Sequence, residues 1–484
     1  MSNGFAMDST QLVNEGKKMI DYVANYWDTL RSSRNAKRTI QLPTEPPQYP
    51  EEWENIFGDL ENVIMRGTTN WHHPHFYGFF SNACSYPSVL GDILSSGIGA
   101  VGFTWKACPS MTELEMATLD WLVHALGLPE HFKNSHEGPG CGIIETSASE
   151  STMLAIMAAR ARAVETYKAG QAEINCNELP STCVEMRLAH SSVEKGAMLC
   201  GVKLRKLKSA KESILGNYTL AAETLEKAIE EDRARGLIPF VLVATLGTTN
   251  TCGVDFLKDL GPICNREGIW LHVDSAYAGS FLICPEFRYM SEGMNMVDSF
   301  NFNPNKAMMV NFDCSPMWFK DGSQATKYFD VDALYYKSAD GGKDYRHLQV
   351  ALCRRFRSLK LWFVLRSFGV KNIQDSLRTS CDKAELFSSL VKEDKNFELF
   401  VPRHLGLVTF RIAKAENATN AAFLDAILED ERIFMVPAQV HGTFIIRFCL
   451  TTPNSTYEDV RFAFKIIQEL AKTFIEQIED RKSG

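Results

Sequence analysis

Apolar positions along the chain recur first at helical spacing. Met19, Ile20, Val23, Tyr26, Trp27 and Leu30 share one face of residues 9–31, with Ser9 or Thr10 available as the cap. Pro43, Pro46, Pro47 and Pro50 predict an extended arm, and Trp53, Ile56, Phe57, Leu60 and Ile64 a second amphipathic helix. Two helices joined by a proline arm cannot bury their own stripes. They must pack on the main body or on a second copy of the chain, and a partner subunit is the favoured surface.

The pattern then changes. Residues 238–245 and 269–274 are continuous apolar runs separated by a helix-length segment, 256–267, as in buried parallel strands joined by a crossover helix. A third apolar run, 308–312, is expected to be another strand. Residues 153–164 read as a helix, and Arg354 restarts one that runs to Trp362. Beyond residue 374, helices are expected over 382–392, 421–428 and 457–478, with short strands over 407–412 and 444–450. The expected organisation is an α/β chain. It comprises a helical arm and dimerisation segment (1–85), a large domain around a parallel sheet (86–373) and a small α+β domain (374–484).

Composition removes several functional classes. A length of 484 residues can support more than one core, since single cores stop growing near roughly 250–300 residues. The net charge of −8 is spread over interspersed acids and bases, so no basic face invites nucleic acid and no polybasic tract an anionic membrane. No window approaches the roughly 18 apolar residues of a membrane span. The thirteen cysteines lack a Cys-x-x-Cys pair or zinc spacing. Reduced thiols, a cytosolic location and no metal site are therefore expected.

The candidate chemistry centres on residues 298–306, Asp-Ser-Phe-Asn-Phe-Asn-Pro-Asn-Lys. Taken alone, Lys306 reads as a turn lysine facing water. The other reading is a desolvated amine that attacks an aldehyde. Asp274 ends an apolar run, where open α/β sheets present groups to ligands. Glycines at 138, 140 and 142 lead to Ser147-Ala148-Ser149-Glu150 at a helix start, a ready anion site. Aromatics crowd residues 71–105 and form either ordinary core or a flat pocket. An amine, a strand-end carboxylate, an anion site and an aromatic pocket together are what pyridoxal phosphate requires.

Six stretches carry a family resemblance: Ser147-Ala148-Ser149-Glu150, Ala189-His190-Ser191-Ser192-Val193-Glu194, Ala244-Thr245-Leu246-Gly247-Thr248-Thr249, Leu271-His272-Val273-Asp274, Phe302-Asn303-Pro304 with Lys306, and Arg354-Arg355-Phe356-Arg357-Ser358. Through them the sequence resembles the pyridoxal-phosphate-dependent aromatic L-amino acid decarboxylases over essentially the whole chain. The resemblance implies fold type I, a mostly parallel seven-stranded sheet flanked by helices, and a homodimer with shared active sites. It also implies that Lys306 carries the cofactor, Asp274 pairs with the pyridinium nitrogen and His190 stacks on the ring beside Ala276. Thr249 would contact the ring hydroxyl or the substrate carboxylate region. Ser147, Ala148, Ser149 and Asn303 would hold the phosphate.

Substrate contacts implied in the same way are Trp71, Phe79, Phe80, Ser81, Asn82 and Cys353, with Val101 and Phe103 reaching the partner's pocket. Tyr335 would close over the neighbouring site and supply a proton. Asn305 and Ala307 depart from the family's His-Lys-Trp, and Cys353 stands where dopa-type enzymes have Gly and histidine decarboxylases Ser. Decarboxylation of L-histidine is the favoured expectation, with a bulky aromatic amino acid close behind. An aromatic acetaldehyde synthase and an inactive dimeric scaffold are the alternatives.

Overall fold

The computed structural model describes residues 7–32, 42–81, 83–170, 181–186, 188–329 and 344–483. Asn82 and Tyr335 lie outside the described residues. Asp8, rather than Ser9 or Thr10, caps the first helix, α1 (Ser9–Thr29). Its carboxylate accepts from the Gln11 N–H at 2.8 Å, and the Gln11 side chain accepts from the Asp8 N–H at 2.9 Å. The second predicted helix is α2 (Trp53–Asp59), continued by a π turn over Leu60–Ile64. The two pack on each other: the Tyr22 hydroxyl donates to Glu61 at 2.6 Å, and its ring meets Phe57 edge-on at 5.8 Å. Even so, no residue of α1 is buried, and Leu12, Val13 and Ile20 are more than half exposed.

The body follows with α3 (Tyr86–Ile98), α4 (Pro109–Leu126), β1 (Cys141–Glu145), α5 (Ala148–Gly170), β2 (Ser181–Met186), α6 (Ser191–Leu199) and β3 (Lys203–Leu207). A short hairpin, β4 (Ala210–Lys211) and β5 (Tyr218–Thr219), leads into α7 (Ala222–Ala234), β6 (Ile238–Thr245), α8 (Leu257–Glu267) and β7 (Trp270–Asp274). Then come β8 (Ser299–Asn301), α9 (Pro304–Ala307), β9 (Ser315–Phe319) and α10 (Gly322–Phe329).

Seven of these strands form one sheet in the order β1-β9-β8-β7-β6-β2-β3. The five from β8 to β3 run parallel, and β9 is antiparallel to both its neighbours, so the expected mostly parallel sheet is found. Every residue of β1, β7, β8 and β9 is buried, as is β6 but for Ile238, which is why β6 and β7 read as unbroken apolar runs. Residues 308–312, expected as a strand, form none. Met308 and Val310 are fully buried, but Met309 takes a φ of 59°, and the strand begins only at Ser315. Apolar content there reflects burial in the main core, which a short run cannot distinguish from a strand.

The chain continues through α11 (Ser358–Glu393), which starts after rather than at Arg354 and is broken by Gly369 at φ 67° and ψ 164°. Next are β10 (Phe397–Leu399), β11 (Leu407–Ile412), α12 (Asn417–Asp430), β12 (Val436–Val440), β13 (Thr443–Cys449) and α13 (Tyr457–Ser483). The last four strands make an antiparallel sheet, β10-β11-β13-β12. Its core is stapled to the rest by aromatic stacking: Phe448 on β13 lies 3.7 Å from the Phe387 ring of α11 and 4.0 Å from Tyr77. Among the described residues no helix is long and apolar enough to cross a membrane, and the cysteines are free.

Candidate active site

The site is built where parallel strands end together. Asp274 is the last residue of β7, buried, in register with Thr245 of β6 and Asn301 of β8. One of its carboxylate oxygens accepts from the Ala276 N–H at 3.0 Å. The Asn303 N–H in turn donates to the Ala276 carbonyl at 3.1 Å, joining the exits of β7 and β8. Pro304 then opens α9, a position where its missing N–H is no loss. Lys306 follows within that single turn.

The Lys306 amine lies 5.2 Å from the centre of the Phe80 ring. Burial draws its pKa down from the ordinary lysine value, Arg447 on β13 acts in the same direction, and Asp274 opposes both. Arg447 itself sits 5.0 Å from the same ring, and Phe80 is stacked on Tyr277 at 3.8 Å. The amine that the sequence alone would leave in water is thus held against aromatic surface beside a strand-end carboxylate.

His190 precedes α6 and caps it: Nδ1 accepts from the Ser192 N–H at 3.2 Å and lies 2.9 Å from the Ser192 hydroxyl. With Nδ1 accepting an amide, a neutral ring carries its proton on Nε2. Its pKa is lowered, chiefly by desolvation and further by Lys306, against the pull of Asp274. Those interactions bring His190, Asp274 and Lys306 into one electrostatic cluster.

The serines expected to form an anion site stand at the start of α5. The Ser147 carbonyl accepts from Ser151 N at 3.0 Å and its hydroxyl from Glu150 N at 3.2 Å. Ala148 and Ser149 contribute first-turn N–H groups, which helix geometry leaves without intrahelical acceptors. A hydroxyl relay connects this turn to the lysine segment: Ser151 Oγ lies 3.2 Å from Ser315 Oγ, which donates to Asn303 Oδ1 at 2.9 Å. Sequence reasoning missed Ser151 and Ser315. The available signal was a serine opening an otherwise apolar, fully buried strand.

Thr249 lies half-buried on the turn beyond β6. That turn is fixed by Gly247 and Thr248, whose N–H groups both donate to Gly253 O at 2.9 Å. Gly247 has a φ of 82°, and a Cβ there would stand 2.7 Å from that of Ala278, so only glycine fits. Leu246 N donates to the Asp274 carbonyl at 3.0 Å, tying this turn to the carboxylate.

A cavity of about 710 Å³ opens over Lys306 between the N-terminal arm and the body, walled by Trp27, Trp71, Phe80, Asn305 and Phe312 among others. Trp71 stacks on Phe79 at 5.2 Å. Tyr22, Tyr26 and Trp27 of α1 also reach the cavity; of these, Tyr26 and Trp27 read in the sequence only as part of a packing stripe. Ser81 is fully buried, its hydroxyl 2.5 Å from that of Thr451 at the base of the small sheet. Val101 and Cys353 are exposed and Phe103 half-buried, and none of the three lines this cavity. Asn305 and Ala307, the departures flagged in the sequence, are both buried.

Glu145 was not anticipated. It ends β1 directly before the anion site, and its pKa is pushed up to about 8, first by burial and then by Glu150.

The pyridoxal-dependent decarboxylase conserved domain matches residues 35–413. The chain belongs to that family. It is 42% identical to histidine decarboxylase of Homo sapiens, over 97% of this chain and 72% of that one. It is also 42% identical to aromatic-L-amino-acid decarboxylase of Rattus norvegicus, over 97% and 99% respectively. Among solved structures, Oryza sativa TDC with PLP and tryptamine matches with a TM-score of 0.91 at 29% identity, covering 96% of this chain and 99% of that one. The resemblance read from the motifs is therefore borne out, as are the fold and the reaction class: this is a pyridoxal-phosphate-dependent carboxy-lyase. The donor set fits the cofactor, with an amine of depressed pKa, a buried strand-end carboxylate and a hydroxyl-bearing helix start.

Proposed function

We propose that this enzyme decarboxylates an L-amino acid with an imidazole or aromatic side chain, L-histidine first, with L-DOPA, L-tyrosine and L-tryptophan close behind. The observation that carries the reading is the buried Lys306, drawn down in pKa, on the wall of an aromatic-lined cavity of about 710 Å³. Pyridoxal phosphate, when bound, supplies an aldehyde for amines and a ring that accepts the electrons released with carbon dioxide. Lys306 would hold the aldehyde, and Asp274 would keep the ring nitrogen protonated. Ser147, Ala148, Ser149 and Asn303 would hold the phosphate, with His190, Ala276 and Thr249 placed about the ring.

The chain's own groups then divide the work. Burial and Arg447 keep more of the Lys306 amine neutral, the form that can attack. Asp274 places fixed negative charge where positive charge must persist, the kind of preorganised electrostatics that commonly dominates catalysis. Tyr335 would return a proton to Cα, and a second copy of the chain would bring Val101 and Phe103 to the pocket. The homodimer reading is supported by the apolar outward faces of α1 and α3.

The deciding experiment incubates the holoenzyme with L-histidine, L-DOPA, L-tyrosine, L-tryptophan and 5-hydroxytryptophan, scoring amine, aldehyde and carbon dioxide together. Amine and carbon dioxide in equal amounts support decarboxylation. Aldehyde with peroxide and ammonia would instead make it an acetaldehyde synthase. Cofactor-loaded protein that turns over none of them would leave a dimeric scaffold.

A further inference from the structure

The turn that carries Thr249 is held from the small antiparallel sheet. It closes through the Cys252 N–H, which donates to the Thr248 carbonyl at 2.8 Å and so encloses Thr249, Asn250 and Thr251. Cys252 is fully buried at a φ of 57°, a left-handed conformation uncommon outside glycine. Its carbonyl is met by His404, on the segment leading into β11, whose Nδ1 lies 2.7 Å away. A carbonyl only accepts, so Nδ1 carries the proton and Nε2 accepts from the Tyr289 hydroxyl at 2.6 Å. Burial draws the pKa of His404 down to about 4, which keeps the ring neutral in that tautomer.

The His404 segment is strained in the same way. Leu405 takes a φ of 50° while 1% exposed, within a two-residue turn across which His404 and Leu407 exchange backbone bonds at 3.4 and 3.1 Å. A Cβ on Gly406 would stand 2.3 Å from the Leu450 carbonyl oxygen, and the Gly406 N–H donates to the Tyr277 hydroxyl at 3.1 Å. Tyr277 is the ring stacked on Phe80, which the Lys306 amine approaches. Asn250, next to Thr249, also reaches the small sheet, its amide donating to the Gln439 carbonyl of β12 at 3.5 Å. Left-handed residues other than glycine persist where surrounding contacts over-determine them, and they concentrate at functional sites. Here two of them flank one imidazole. We infer that His404 is a positioning residue for the cofactor: it fixes the Cys252 peptide, and through it the turn that presents Thr249 to the ring. The inference rests on the place given to Thr249 in the reading above. His404 touches no reacting atom and acts only through the turn.

The test measures the dissociation constant of pyridoxal phosphate by diluting the holoenzyme and following its visible absorbance, with thermal midpoints in parallel. The variants are His404→Leu, His404→Asn, Thr249→Ala and the double variant His404→Leu with Thr249→Ala. His404→Leu leaves the Cys252 carbonyl without its donor and should weaken binding by roughly 10- to 100-fold. His404→Asn, whose amide N–H stands in for that of Nδ1, should recover part of the loss. Thr249→Ala should weaken binding as well, and the double variant should bind within about twofold of the weaker single variant, because both changes act at one place. As a control, Asn420→Ala removes a buried side chain that accepts from the Ile412 N–H at 2.8 Å in the same small sheet. It should lower the midpoint and leave the constant within about twofold of wild type. A constant within about twofold of wild type in His404→Leu, losses that multiply in the double variant, or an equal loss in Asn420→Ala would each overturn the inference. A silent Thr249→Ala would overturn the placing of Thr249 at the ring, and the inference with it. Where His404→Leu fails to fold, Tyr289→Phe carries the comparison: it frees the imidazole to take the other tautomer and should weaken binding by roughly 3- to 10-fold. An unmoved constant in that variant overturns the inference equally.

Discussion

At the scale of single residues, Asp274 and Glu145 are both buried carboxyls at strand ends but stand among different neighbours. Asp274 faces Lys306 and His190, so its charge has partners; Asp274→Asn should lower turnover by roughly 10²–10³-fold, as loss of one preorganised electrostatic group commonly does. Near wild-type rates with intact cofactor binding would refute its role. Glu145 is surrounded by Glu150 and Glu115 as well as Arg354 and Arg357, and burial pushes its carboxyl from 4.5 to about 8. The folded protein thus keeps a proton that the unfolded chain has lost. The resulting stability is fully present below pH 4.5 and is lost as pH rises through about 8. Glu145→Gln, neutral at every pH, should show a thermal midpoint that falls less between about pH 6 and 9 than the wild type's. Parallel curves would show that Glu145 does not titrate in that window.

Among elements, the buried ion pair between α4 and the segment before α11 fixes β1. Glu115 accepts from Arg354 at 2.5 Å and from the Ile144 N–H at 2.7 Å, and the Arg354 guanidinium covers the Tyr345 ring at 4.4 Å. Both side chains are essentially inaccessible. Glu115→Ala would strand a buried guanidinium and is expected to cost about 3–5 kcal/mol in urea unfolding. Adding Arg354→Met should cost less than the sum of the two single changes. Because β1 runs straight into Ser147–Ser149, the same variant should weaken retention of pyridoxal phosphate on dialysis. Sequence legibility followed the length of the apolar run at this scale. β6, buried nearly throughout, was readable to the residue, whereas β9 was missed because a buried apolar run at 308–312 drew the expectation to the wrong stretch.

For the whole molecule, the apolar faces left outside are as informative as the core. Leu90, Ile93, Leu94 and Ile98 of α3 are each between 43% and 52% exposed, and α1 adds Leu12, Val13 and Ile20. Exposed apolar surface of that continuity marks an interaction surface. Leu90→Glu with Ile93→Asp should convert the proposed dimer to a monomer in light scattering. Activity should fall with it if Val101 and Phe103 complete the partner's pocket. A dimer that survives both substitutions would place the interface elsewhere.

The sequence by itself determined the reaction class, because the lysine, the aspartate and the helix-start serines are chemical requirements of one cofactor and stand in motifs that local patterning exposes. It determined the parallel sheet too, since strands buried on both faces leave unbroken apolar runs. Only the tertiary structure decided what surrounds the amine. Arg447 and Phe80 come from segments more than 140 and 220 residues away in the chain, and no local pattern reports a pKa set by their approach. The same holds for Asn305. In the sequence it was merely an unfamiliar neighbour of the lysine; its burial, with the side-chain oxygen unpartnered among the described residues, exists only once distant segments close around it.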